Sequence, residues 1–103
     1  MTIQFNTDKT ISGEKRSEDF FRSQIAEALK RFESHLTRIE VHLKDENGKK
    51  EGINDISCVI EARLEGRQPI AITNKAASTD LAISGALDKI KTAIESIIGK
   101  MQK

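Results

Sequence analysis

TRIEVHLKDENG, residues 37–48, alternates between apolar and polar almost without a slip. Ile39, Val41 and Leu43 fall on one side of an extended chain, and Arg38, Glu40, His42 and Lys44 on the other. A period of two over this length marks a half-buried strand, about Arg38 to Lys44, with one row needing cover and one facing water. DENGKKEGIND then breaks it with asparagine, glycine and a charge cluster. DISCVIEARLEG repeats the pattern, with Ile56, Cys58, Ile60, Ala62 and Leu64 on one side and Ser57, Val59, Glu61, Arg63 and Glu65 on the other. Glu65, Gly66 and Arg67 make a tight reversal, and RQPIAITN reads as a further strand with Ile70 and Ile72 inward. Pro69 has no N–H to donate, which suits a strand start or an unpaired edge.

The flanks carry the helical period. Upstream, Phe21, Ile25, Ala28, Leu29, Phe32 and Leu36 recur at three and four, one apolar stripe on a helix of roughly five turns. Ser17 reads as its cap, with Glu18 and Asp19 favouring the positive end. Before it, TIQFNT supplies Ile3 and Phe5 to a short strand, and DKTISGEKR is turn-like. Downstream, Ser78 or Thr79 caps a last helix striped by Ile83, Leu87, Ile90, Ala93, Ile94, Ile97 and Met101. Gly85 lies inside it at a cost of about 1 kcal/mol relative to alanine, which predicts a close approach to the sheet or the first helix. The order is therefore β-α-β-β-β-α, an α+β fold. Two helices with one stripe each and a four-stranded sheet with one apolar face are matched by placing both helices on that face, a two-layer sandwich.

The 103 residues suit a single domain, 1–103, with one modest core. With 37% hydrophobic and 32% charged residues the chain has enough branched aliphatics to fold. Its net charge of +1 gives no global field toward nucleic acid or membrane, so any such binding needs a local patch. Cys58 is the one cysteine and cannot form an internal disulfide; no apolar run suits a signal peptide or a membrane span. The cytoplasm is the expected address. Tryptophan and tyrosine are absent, which removes the stacking platform of single-strand readers.

The chemistry-bearing residues do not assemble into an enzyme. His35 and His42 lie on different elements and Cys58 points inward, so no metal set is expected. No base and glycine elbow frame a serine nucleophile, and no cofactor or small-molecule substrate is implied. ENGKKEG joins two strands instead of opening a helix, which makes it a turn and not a phosphate cradle. Glu40 and Glu61 share the polar face with Arg38, Lys44 and Arg63, where cross-strand ion pairing is expected. On the first helix Arg22, Lys30 and Arg31 are offset by acids; on the last, Lys89, Lys91, Lys100 and Lys103 outnumber Asp80, Asp88 and Glu95. That C-terminal half-helix is the best local cation patch.

LKRFESHLTRIEVHLKDENG, followed by CVIEARLEGRQPIAITNKA and by ALDKIKTAIESIIGK, resembles the ribosome hibernation-promoting factor and ribosome-associated inhibitor family, also known as sigma-54 modulation proteins. The most telling feature is L-x-R-F-x-x-H-[LI] running into I-E-V, here Leu29, Arg31, Phe32, His35, Leu36, Ile39, Glu40 and Val41. The resemblance spans nearly the whole chain and implies a β-α-β-β-β-α, hibernation-factor-like domain. It also implies a non-enzymatic factor of the stress response that regulates translation. Such a factor binds the small ribosomal subunit in the mRNA and tRNA channel, contacts 16S rRNA through basic helix residues, and silences or protects idle ribosomes in slow growth. Carried onto this sequence, the rRNA contacts are Arg22, Lys30, Arg31, Lys89, Lys91 and Lys100.

The chain departs from the family pattern in several places. Where the last helix usually reads D-K-L-x-R-Q-L-R-K, Lys89 is kept and Lys91 is an added cation, but Thr92, Glu95 and Ser96 replace basic residues. By ungapped matching Ile25 and Ala28 also stand where lysine or arginine is common, and Ser78 and Asp80 replace an aspartate and an aromatic. Each missing cation lowers affinity for RNA and flattens its salt dependence. A protein-interaction module that keeps the fold and has lost strong rRNA binding is the alternative. A monomer is expected, with a weak homodimer through the sheet face or an edge strand as the variant. Long members carry a further C-terminal domain that pairs ribosomes, for which these residues leave no room, so ribosome pairing by this chain alone is not expected.

Overall fold

A computed structural model of the chain describes residues 1–7, 15–45 and 56–101. The elements are β1 (Thr2–Thr7), α1 (Lys15–Leu29), a single 3-10 turn (Lys30–Phe32), β2 (Leu36–Asp45), β3 (Ile56–Leu64), β4 (Ile70–Ala76) and α2 (Thr79–Met101). This is the β-α-β-β-β-α order read from the patterning. The DKTISGE segment and the ENGKKEGIND segment lie outside the described residues, and with them the turn readings made there.

The strands form one mixed sheet in the order β1-β2-β3-β4. β1 and β2 are parallel, and the chain between them includes α1, as a parallel pair requires a crossover. β2–β3 and β3–β4 are antiparallel. In this register Ile3 and Phe5 lie beside Ile39 and Val41, which lie beside Ala62 and Ile60, with Ile70 and Ile72 completing the rows. The helices cover that row: α2 packs on β3 and β4, α1 on β1, and the helices touch each other. Ile25, Leu29, Ile39, Val41, Cys58, Ile60, Ile83, Ile90 and Ile94 are fully buried in the resulting core. Each large aliphatic there contributes roughly 1.5–3 kcal/mol of burial.

Two boundaries differ from the sequence reading. The first helix ends at Leu29, not Leu36, and Leu36 is instead the first residue of β2. Its spacing of four from Phe32 and three from Ile39 imitates a helix. The cause is a bulge, since the β2–β3 register shifts between Leu36 and Arg38, and Thr37 Oγ1 donates to the Arg63 carbonyl at 3.2 Å. One extra residue lets Leu36 and Ile39 both face the core. At the other end, α1 begins at Lys15, so Ser17 lies within its first turn and not before it.

The last helix is capped as read: the Leu81 N–H donates to Ser78 Oγ at 3.2 Å. Gly85 has the expected close approach, to the sheet. A Cβ there would stand 2.3 Å from Asn74 Nδ2, which donates to the Ala82 carbonyl at 3.1 Å. Gly66, at φ +74°, occupies the left-handed position in the β3–β4 reversal, where the Arg67 N–H donates to the Leu64 carbonyl at 3.1 Å. Pro69 immediately precedes β4, an edge strand.

The polar face of the sheet corrects one expectation. Register sets Arg38 opposite Arg63 and Glu40 opposite Glu61, like facing like. The ion pairs therefore close along each strand instead of across: Arg38–Glu40 at 2.9 Å and Arg63–Glu61 at 3.3 Å. Arg38 also donates to Gln4 Oε1 on β1.

Candidate nucleic-acid interface

The two helices run in the same direction. Glu27, Ala28, Lys30 and Arg31 line a groove with Lys91, and further along Arg31, Phe32 and His35 line one with Glu95, Ile98 and Gly99. This parallel arrangement follows from the sheet, because α1 and α2 each return over strands that point the same way. The first groove gathers three of the six expected contacts, Lys30, Arg31 and Lys91. Lys30 is exposed and Lys91 half-buried.

Arg31 is held in two ways. Its guanidinium lies 4.6 Å from the centre of the Phe32 ring and pairs with Glu95 across the helices. Both side chains of that pair are more than half exposed, so it contributes at most about 1 kcal/mol and yields readily to a stronger anion. A planar guanidinium is the group suited to bidentate pairing with a carboxylate or a phosphate, and here Glu95 holds it.

The other three expected contacts lie elsewhere. Arg22 is about 12 Å back along α1, eight residues at the helical rise, and pairs with Asp19 at 3.2 Å. Lys100 is exposed in the last turn of α2, about 13 Å beyond Lys91. Lys89 points to the opposite side of α2 from Lys91, where its Nζ donates to the Thr73 carbonyl of β4 at 3.0 Å. The substituted positions also sort by place. Ile25 is fully buried, so no solvent-facing cation is missing there, whereas Ala28 lines the groove and Thr92, Glu95 and Ser96 are exposed.

Sequence reasoning had passed over Glu27 and Glu95 as groove residues. Glu27 carried a signal, four residues before Arg31 on the same face; Glu95 carried none until the helices were placed side by side. Among the described residues no group of three or more His, Cys, Asp or Glu could hold a metal ion. Cys58 is fully buried as expected, and burial pushes its thiol up to about 12, so the thiolate needed for nucleophilic chemistry is suppressed. No helix among the described residues is long and apolar enough to cross a membrane. The groove gathers three cations, Lys30, Arg31 and Lys91, with two acids, Glu27 and Glu95, along its length.

The class so defined is a two-layer β-α-β-β-β-α sandwich with cations gathered between parallel helices. In structure it is similar to the N-terminal domain of Protein Y from Thermus thermophilus, with a TM-score of 0.74 at 16% identity over 94% of this chain and 99% of that one. It is similar also to a ribosomal subunit interface protein from Coxiella burnetii, with a TM-score of 0.73 at 12% identity over 96% of this chain and 99% of that one. At such identities the likeness carries the fold. None of the curated proteins matches the chain in sequence. The pattern that defines the sigma 54 modulation protein / S30EA ribosomal protein family matches residues 10–102. The chain belongs to that family.

Proposed function

We propose that this chain is a non-enzymatic, cytoplasmic factor that docks on the small ribosomal subunit, against 16S rRNA in the mRNA and tRNA channel, and inhibits translation or protects idle ribosomes in slow growth. The family match across residues 10–102 carries the reading. The groove supplies its means: Lys30, Arg31 and Lys91 take phosphate oxygens, and Arg22 and Lys100 extend the track along the helices. Affinity then comes from counterion release and specificity from shape, as for structured RNA. The test is sedimentation with purified small subunits at low and high salt, with a translation assay alongside. Co-migration at low salt that is lost at high salt, with inhibition, is expected; no co-migration even at low salt overturns the reading.

Glu95 favours a second reading. Where the family pattern has a cation, this chain places an acid that already occupies Arg31, which suits a protein partner better than RNA. Loss of the Glu95 carboxylate, Glu95→Gln, separates the two: it strengthens RNA binding and weakens an acid-dependent protein contact.

A further inference from the structure

The two edges of the sheet are built differently. On β4, Lys89 occupies the Thr73 carbonyl at 3.0 Å, Lys75 is exposed and Pro69 precedes the strand, three devices that discourage another strand from adding. β1, TIQFNT, has no charge and no proline, and among the described residues its outer side carries no partner strand. Beside it runs an open trough lined by Met1, by Ile3 of β1, by Ser23, Ala26 and Glu27 of the overhanging α1, and by Lys30 and Glu33 just beyond it.

Charge shows what fits there. Asp19, Ser23, Ala26 and Lys30 follow one another at four, three and four residues, one face of a helix. Small residues stand in the middle, with an acid at one end and a base at the other. A two-fold axis between Ser23 and Ala26 brings Ser23 against the partner's Ala26, Arg22 against the partner's Glu27, and Asp19 against the partner's Lys30. Both of these charged pairs are of opposite sign.

The strand agrees with the same axis. Phe5 stacks on Phe21 with ring centres 6.2 Å apart, and α1 runs back from there over Ile3 and Met1. One strand residue covers about 3.3 Å, roughly two helix residues, which puts Gln4 beneath Ser23, about 2 Å from the midpoint of Ser23 and Ala26. Antiparallel pairing centred on Gln4 sets Ile3 against the partner's Phe5 and Thr2 against the partner's Asn6. Both apolar residues then stay on the helix-covered side.

We infer that β1 and the outer face of α1 form an isologous interface with a second copy of this chain, joining two sheets edge to edge into one of eight strands. The surface is self-complementary, as a two-fold dimer requires, and the strand's unpaired N–H and C=O groups gain partners. The Asp19–Arg22 pair at 3.2 Å is exposed and gives way at little cost. Because Lys30 lines both the trough and the inter-helix groove, the dimer competes with phosphate for it.

The test uses the full chain in sedimentation equilibrium, without ribosomes, so its failure leaves the ribosome reading untouched. The parent is expected to form a reversible dimer as concentration rises toward millimolar. Asp19→Lys and Lys30→Asp each weaken it roughly tenfold or more, through two repulsive contacts per dimer. An equimolar mixture of the two variants restores it, because the heterodimer contains both attractive pairs. Ala26→Arg, at a half-buried position on the trough and confirmed as folded by circular dichroism, abolishes it by bulk. A parent that stays monomeric throughout, a single swap that dimerises like the parent, or a mixture that fails to recover each overturns the proposal.

Discussion

The two sides of α2 use the same residue types for opposite ends. Toward β4, Gly85 admits Asn74, whose amide donates to the Ala82 carbonyl, and Lys89 donates to the Thr73 carbonyl. Toward α1, Lys91 and Glu95 face Lys30, Arg31 and Phe32 across an open groove. The polar groups on the first side are tied to backbone carbonyls; those on the second are solvated or held by one exposed ion pair. Two lysines two residues apart thus do different things, Lys89 fastening α2 to the β4 backbone and Lys91 lining the open groove, so counting cations along a helix overstates the surface it offers to a partner.

The comparison breaks most visibly if the sheet-facing side fails to dominate stability. Ile90→Ala, which empties a fully buried position between the sides, should cost about 2–5 kcal/mol in urea unfolding. A smaller effect follows at the Asn74 contact. Gly85→Ala should destabilise by about 1–2 kcal/mol, because the added methyl displaces the Asn74 amide from its carbonyls. In an Asn74→Ala background the same change should stabilise by up to about 1 kcal/mol, as helix propensity then acts alone. Equal effects in both backgrounds would rule out that contact as the reason for glycine.

On the groove side, Lys91→Gln should leave the unfolding midpoint nearly unchanged and weaken small-subunit binding roughly tenfold, the loss of one charge-assisted contact. Glu95→Gln should act the other way on binding by a lesser factor, since it frees Arg31 from an exposed pair. Smallest of all, Lys89→Gln should lower stability by under about 1 kcal/mol and leave subunit affinity almost as it was.

Much of the fold was legible because burial repeats with the pleat. The rows from Ile39 to Leu43 and from Ile56 to Leu64 are buried as their alternation said. Leu36 was misplaced because the bulge at Thr37 gives a strand the three-residue step of a helix. The polar row was legible as a row but not as pairs: alternation fixes which face a residue takes, whereas only register sets Arg38 opposite Arg63. The placement of the candidate cations was half legible for a related reason. Helical spacing places Lys89 and Lys91 on different sides of α2, but which side meets α1 depends on where the chain lays the helix across the sheet.

Salt dependence tests the groove most directly. Binding to purified small subunits is measured against salt concentration for the parent, Lys91→Gln and Lys89→Gln, and the logarithms are plotted. The expected result is a slope shallower by about 1 for Lys91→Gln and unchanged for Lys89→Gln. An unchanged slope for Lys91→Gln, or a slope lowered as much by Lys89→Gln, would contradict the assignment of phosphate contacts to the inter-helix groove.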